Sequence, residues 1–196
     1  MSEGNMHKNF YHGSTKRGLK RLEPRVSTHG KSWIYATHLP EIAALFIGPN
    51  HDFICGSGIA RRTTPYLYER FPGALEEGFG GVSGSIYTLL SDGFMGGKTS
   101  WSSEWVHEAA VDIIAEQEIE NVLEHILELE KNGKIEIYRY PSMPPNAPEG
   151  KEDLIQKAVE KVQRFSLEEA LVDVVKYHPD IVQTVIEHYK RAGEVV

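Results

Sequence analysis

Apolar residues follow two rhythms along this chain. In its first two thirds they come in short bursts bounded by glycine and polar residues, the pattern of strands. Residues 9–14 (NFYHGS) predict a strand ending at a glycine turn, and Trp33-Ile34-Tyr35 a second one. Residues 15–31 between them read as a basic loop with a helical turn before Pro24. Pro40 opens a short helix, PEIAALF, because proline at a first-turn position gives up no helical hydrogen bond. Residues 48–84 are glycine-rich and show no rhythm. A stretch that long inside a compact domain is functional or hides elements that periodicity does not reveal. Residues 85–90 predict a strand, 91–103 a polar loop, and 104–114 begin β-like before turning ambiguous. Across 116–131 the spacing of Ile119, Val122, Leu123, Ile126 and Leu129 predicts a helix, stopped by Asn132-Gly133. Lys134–Tyr140 alternates as a strand.

Beyond a proline-rich linker (141–150, PSMPPNAPEG) the rhythm becomes helical. Ser166 and Glu169 form a capping box, His178-Pro179 breaks the helix that follows, and Asp180 is expected to cap the next. The expected organisation is an α+β domain over 1–140, the linker, and a helical appendage over 151–196 packed on that domain. A chain of 196 residues suits one domain with an appendage and buries a core without staples. The apolar run Ile42–Ile47 ends within six residues, far short of a bilayer span, and MSEGNMHKNF lacks a signal-peptide core. Cys55, the single cysteine, fits a reducing compartment. These features lead us to expect a cytoplasmic protein without a membrane partner.

Charge changes the picture by its distribution. The chain carries −7 overall, yet residues 1–40 hold seven basic and two acidic side chains, a local +5. A basic patch on an acidic protein suits a small phosphorylated ligand better than a long polyanion, which the remainder would repel. Familiar catalytic motifs are absent. His107-Glu108 would need a histidine at 111 to form a zinc-binding HExxH, and Val111 stands there. The nine histidines lack paired metal-site spacings, so no metal is expected. Gly81–Ser85 (GVSGS) misses the closing glycine of a nucleophile elbow. Gly97-Lys98-Thr99 lacks the leading glycine of a phosphate loop, because Asp92 occupies that place. Cys55 has no base assigned to it and reads as a structural thiol.

One ordered set of residues stands out. Tyr11-His12-Gly13-Ser14 ends the first strand, and Trp33-Ile34-Tyr35-Ala36-Thr37 forms the second. Phe46 follows Tyr35 by eleven residues in a helix with Ala43 and Ala44, and Glu104-Trp105-Val106 begins a later strand. On these motifs the chain resembles the ADP-ribosyltransferase superfamily, on the branch of diphtheria toxin and the poly(ADP-ribose) polymerases. That branch carries histidine, tyrosine and glutamate on three strands of a split sheet. The resemblance covers roughly residues 9–140. It departs at Phe46, where the family usually has tyrosine, and Glu108 is a neighbouring rival to Glu104.

The resemblance implies a split-sheet core and NAD as co-substrate. It implies that His12 holds the adenosine ribose and that the Gly13 backbone, beside Ser14, bonds the carboxamide. Glycine suits such close approach because no side chain intervenes. Tyr35 and Phe46 would sandwich the nicotinamide ring, and Arg25 or another residue of the basic patch would meet the pyrophosphate. Glu104 would bond the nicotinamide-ribose 2′-hydroxyl and stabilise the cation that forms as the glycosidic bond breaks. The expected activity is mono-ADP-ribosyl transfer to an unidentified acceptor, with nucleic acid entering only as an acceptor. Three alternatives stand beside it: an NAD glycohydrolase, a nucleotide- or partner-binding protein of the same fold without turnover, and a phosphotransferase on RNA ends. Arg61-Arg62 speaks for the last and the net charge against it. Residues 48–84 are the expected acceptor-contacting region.

Overall fold

Three small sheets carry the first 140 residues in this computed structural model, which describes residues 9–193 apart from 27–29, 50, 61–63, 91, 100, 146, 149 and 163–165. The first sheet is antiparallel, in the order β1 (Phe10–Ser14), β7 (Gly84–Leu89), β10 (Val111–Ile119), β2 (Arg21–Leu22). The second is also antiparallel and runs β3 (Arg25–Val26), β4 (Ser32–Ala36), β9 (Trp105–His107), β8 (Met95–Gly96). In the third, β6 (Pro65–Glu69) pairs antiparallel with β5 (Cys55–Ile59) and parallel with β11 (Glu136–Tyr138). The chain is thus mixed α+β.

Helices close the gaps between the sheets. Burying apolar surface against them is the main favourable term. Helix α1 (Pro40–Leu45) buries Ile42, Ala43, Ala44 and Leu45. Together with α2 (Ala74–Phe79) and α3 (Val122–Lys131) it covers a core that includes Ile47, Leu67, Phe79, Ile86 and Ile126. A second cluster, with Phe10, Ile34, Ala36, Tyr87, Leu89 and Phe94, joins β1 and β7 to β4. A third forms where α4 (Glu152–Val162), α5 (Leu167–Tyr177) and α6 (Val182–Gly193) receive Phe53 among Leu154, Ala158, Val174, Ile181 and Val185. The proline-rich segment bends against β6, where the buried Glu69 carboxylate accepts the N–H groups of Leu75 and Tyr140 at 3.0 Å. It borders an open pocket of about 480 Å³ lined by Arg70, Tyr140, Met143 and Lys151.

Five expectations change. Residues 48–84 hold β5, β6 and α2 rather than irregular chain. Their glycines disguise the strands: Gly56 and Gly58 leave room for the cross-strand rings of Tyr68 and Tyr66, which lie where a Cβ would stand. The turn expected before Pro24 is the two-residue strand β2, and β8 interrupts the loop over 91–103. The helix over 116–131 is shorter. Ile119 ends β10, and α3 begins after Asn121, whose side chain accepts the Glu124 N–H. Asp180 does not cap α6. It lies inside a 3-10 turn (Pro179–Ile181), where its carboxylate takes Lys151 Nζ at 2.7 Å instead. The Ser166–Glu169 capping box forms in both directions. Arg61-Arg62 lies outside the described residues.

Candidate functional site

Strands β1 and β4 belong to different sheets and touch at one point. Tyr11 and Thr37 exchange backbone hydrogen bonds of 2.7 and 2.9 Å in an isolated antiparallel bridge. Beyond that bridge no backbone pair joins them among the described residues, which leaves the strands as two arms. One arm carries His12, Gly13 and Ser14, and the other carries Ala36, Tyr35 and Trp33. Backbone groups alternate between the two edges of a strand. Gly13 therefore presents its N–H and C=O on the same edge as Tyr11, toward the gap, as Tyr35 does from the opposite arm.

His12 spans the gap. Its Nδ1 lies 2.8 Å from the Tyr35 carbonyl oxygen, which can only accept, so Nδ1 carries the proton. Burial pushes the pKa of His12 down, and the bond to Tyr35 offsets this in part. The ring is therefore neutral at physiological pH, with a lone pair on Nε2. Nε2 has no partner among the described residues, so it can accept a hydroxyl hydrogen bond in the gap. Gly13 is fixed by packing as well as by backbone exposure, since a Cβ there would stand 1.9 Å from the Ala43 carbonyl oxygen of α1. Ser14 turns the chain out of β1 by accepting the Lys16 N–H at 3.1 Å.

On the other arm, Ile34 and Ala36 point into the core, so Trp33 and Tyr35 share the opposite face, rings 6.2 Å apart edge to face. Strand β9 lines the far edge of β4, pairing Trp105 with Ala36 and Val106 with Tyr35. Glu104 immediately precedes β9. The ladder ends at Trp105, and Glu104 sits in the turn before it, its N–H donating to the Trp101 carbonyl at 3.0 Å. Its rival Glu108 lies past the other end of β9, exposed, with Trp33 Nε1 at 3.4 Å. Strand β3 lies on the β1 side of β4, where Arg25 pairs with Trp33, two residues from the His12–Tyr35 contact.

The structure thus brings His12, Gly13, Tyr35 and Arg25 to one split between sheets, while Glu104 lies just before β9, on the other side of β4 from that split. Phe46 caps the C-terminal end of α1, 46% exposed. Its ring meets Trp101 edge-on at 5.4 Å, and Trp101 accepts the Glu104 N–H at 3.0 Å. Trp101 thereby links the Phe46 ring to the backbone of Glu104. No local pattern signals this contact, because it joins residues 55 positions apart. Thr37, buried and bridging to Tyr11, was legible only as part of a strand.

Chemically, the split offers a neutral imidazole acceptor, an open backbone edge and aromatic faces, with Glu104 on the segment just before β9. Among the described residues no group of three or more His, Cys, Asp and Glu side chains is placed to hold a metal ion. Nor is any described helix long and apolar enough to cross a membrane. Cys55 is buried, which pushes its thiol up to about 12 and removes it as a nucleophile. Comparison of the chain with protein-family models, with curated proteins and with solved structures finds no match.

Proposed function

We propose that this chain is an NAD-dependent mono-ADP-ribosyltransferase. One observation carries the reading: His12 on β1, Tyr35 on β4 and Glu104 just before β9, distant in sequence, lie on segments that follow one another laterally, β1 bridging to the end of β4 and β4 pairing with β9. The geometry supports a division of labour. Nε2 of His12 accepts a ribose hydroxyl, and the Gly13 edge bonds the carboxamide. Tyr35 and Phe46 flank the nicotinamide ring.

Glu104 accepts the hydrogen bond of the nicotinamide-ribose 2′-hydroxyl. As the C1′–N bond breaks, its electron pair leaves with nicotinamide and positive charge gathers on the ribose, where the carboxylate stabilises it. The acceptor nucleophile then bonds to C1′ and releases its proton. NAD serves as co-substrate, and a water acceptor would make the same chemistry a glycohydrolase.

The test is nicotinamide release from NAD carrying a label on its adenylate half, with and without cell extract. Glu104→Gln keeps the shape and removes the charge, so release should fall by about 100- to 1,000-fold while NAD binding changes little. The label's destination separates transfer from hydrolysis. Absence of release from the wild-type protein, in extract as well, would overturn the reading.

A further inference from the structure

Among the described residues six strands form the edges of the three sheets, and five of them are short or covered. Strands β2, β3 and β8 have two residues each and β11 has three, too few to template another strand. The outer side of β1 is met by the Thr37 bridge and by the reach of His12 to Tyr35. Strand β5 is the exception, five residues long with no strand beyond it among the described residues. It also lacks the usual guards of an edge. Its sequence, Cys-Gly-Ser-Gly-Ile, holds no charge and no proline, and its register with β6 runs without a bulge.

The phase of the ladder decides which backbone groups of β5 face outward. Ala60 N–H donates to the Thr64 carbonyl at 2.9 Å, and Arg70 N–H to the Ile54 carbonyl at 3.2 Å. Hydrogen-bonded pairs recur at every second position of an antiparallel ladder, so Gly56 and Gly58 also bond β6. Pro65, which has no N–H, agrees by standing opposite Ile59, in a pair that needs no bond. Cys55, Ser57 and Ile59 therefore turn their backbone groups to the open edge. The Cys55 N–H is used by the His51 carbonyl at 3.2 Å. The N–H groups of Ser57 and Ile59 and the carbonyls of Cys55, Ser57 and Ile59 have no partner among the described residues, and Ser57 is exposed.

We propose that β5 pairs antiparallel with β5 of a second copy of this chain, about a two-fold axis at Ser57. The strand is self-complementary about that residue. Ser57 faces Ser57 of the second copy, and the two exchange N–H···O=C bonds. Ile59 faces Cys55 of the second copy and donates its N–H to that carbonyl, and the two-fold axis repeats the bond. The donors and acceptors thus match, even though the Cys55 N–H is already engaged. Gly56 faces Gly58 of the second copy, where neither carries a side chain to obstruct the approach. On the other face Ile59, partly exposed in the single chain, comes to lie beside Cys55 at the margin of the core that holds Leu67. The uncharged seam lets two chains of −7 meet without local repulsion. The product is one sheet continuous through both copies, and it stands independently of the NAD reading.

Light scattering after size exclusion, over a range of protein concentrations, reads the mass. The wild type should rise from 22.1 kDa toward twice that value as concentration increases. Hydrogen exchange at the Ser57 and Ile59 amides should slow over the same range. Ser57→Pro deletes an N–H that the single chain does not use, and an edge strand tolerates proline at such a position. That variant should keep the wild-type circular dichroism and raise the dimer dissociation constant on the order of tenfold or more, because each dimer loses two hydrogen bonds. Ser57→Lys leaves the backbone intact and sets two ammonium groups against each other across the axis, so it should dissociate the dimer even where proline disturbs the strand. A wild type that stays at 22.1 kDa at every concentration would overturn the proposal. Protection of those amides only in cell extract would do the same and assign the edge to another protein. A dimer that survives both substitutions would place the contact elsewhere and equally overturn it.

Discussion

At the scale of single residues, Gly13 shows how packing and chemistry fall on one position. Its backbone edge faces the split, and its missing side chain lets the Ala43 carbonyl of α1 rest against β1. Gly13→Ala must therefore push α1 away, and overpacking of this kind costs about 1–3 kcal/mol. Thermal denaturation should show the melting temperature lowered by several degrees. An unchanged midpoint would mean that α1 yields without cost. His12 is the complementary case. The sequence marks it by the Tyr-His-Gly-Ser run, but only the fold shows that Nδ1 is spent on Tyr35 and that Nε2 is the atom left to act.

At the scale of elements, the joint between α5 and α6 is a pH-sensitive contact. His178 is 1% exposed. Nε2 lies 2.7 Å from the Phe53 carbonyl, which it can meet only as a donor, and Nδ1 is buried without a partner. Burial lowers its pKa, the bond to Phe53 opposes the shift, Lys151 and Arg70 add to it, and Asp180 opposes it. His12, His51 and His125 are also lowered, each chiefly by burial. The unfolded chain therefore binds more protons than the folded one once the pH drops below the ordinary histidine value of about 6.5. Stability should be constant above that value and decline as the pH falls from there toward 5. The lowered carboxylates Glu77, Glu116, Glu169 and Asp180 act at lower pH, as each would lose its partners on protonation. His178→Gln keeps a donor for Phe53 and does not titrate. Urea unfolding should show a shallower decline between pH 7 and 5 in that variant, and an unaltered slope would remove His178 from the account.

At the scale of the whole molecule, the helical region docks through aromatic contacts and a polar rim. Phe53 enters the cluster of α4, α5 and α6, Phe71 stacks on Tyr177 at 5.3 Å, and Glu77 takes Lys176 and Tyr177 at 2.7 and 2.8 Å. Phe53→Ala should cost about 3–5 kcal/mol, the range for deleting a buried aromatic ring. If this contact fastens the helices to the sheets, limited proteolysis should then cut within 141–150 sooner than in the wild type. Uniform cleavage kinetics in both proteins would mean that the rim alone secures the appendage.

Local signals settled much of this. The strand end at Ser14, the start of α1 at Pro40, the stop at Asn132-Gly133 and the Ser166–Glu169 cap each depend on bonds within a few residues of one another, so composition and spacing carried them. The order of histidine, tyrosine and glutamate along the chain was equally legible. What needed the tertiary structure was long-range pairing. Gly56 and Gly58 read as irregular until Tyr68 and Tyr66 lie over them from the next strand, and Ile119 fitted a helix until it paired with Gly84 in a sheet. The meeting of β1 with β4 and the Trp101 contact arise the same way. They join residues separated by tens of positions, and no local periodicity records a contact whose partner is chosen by the packing of sheets.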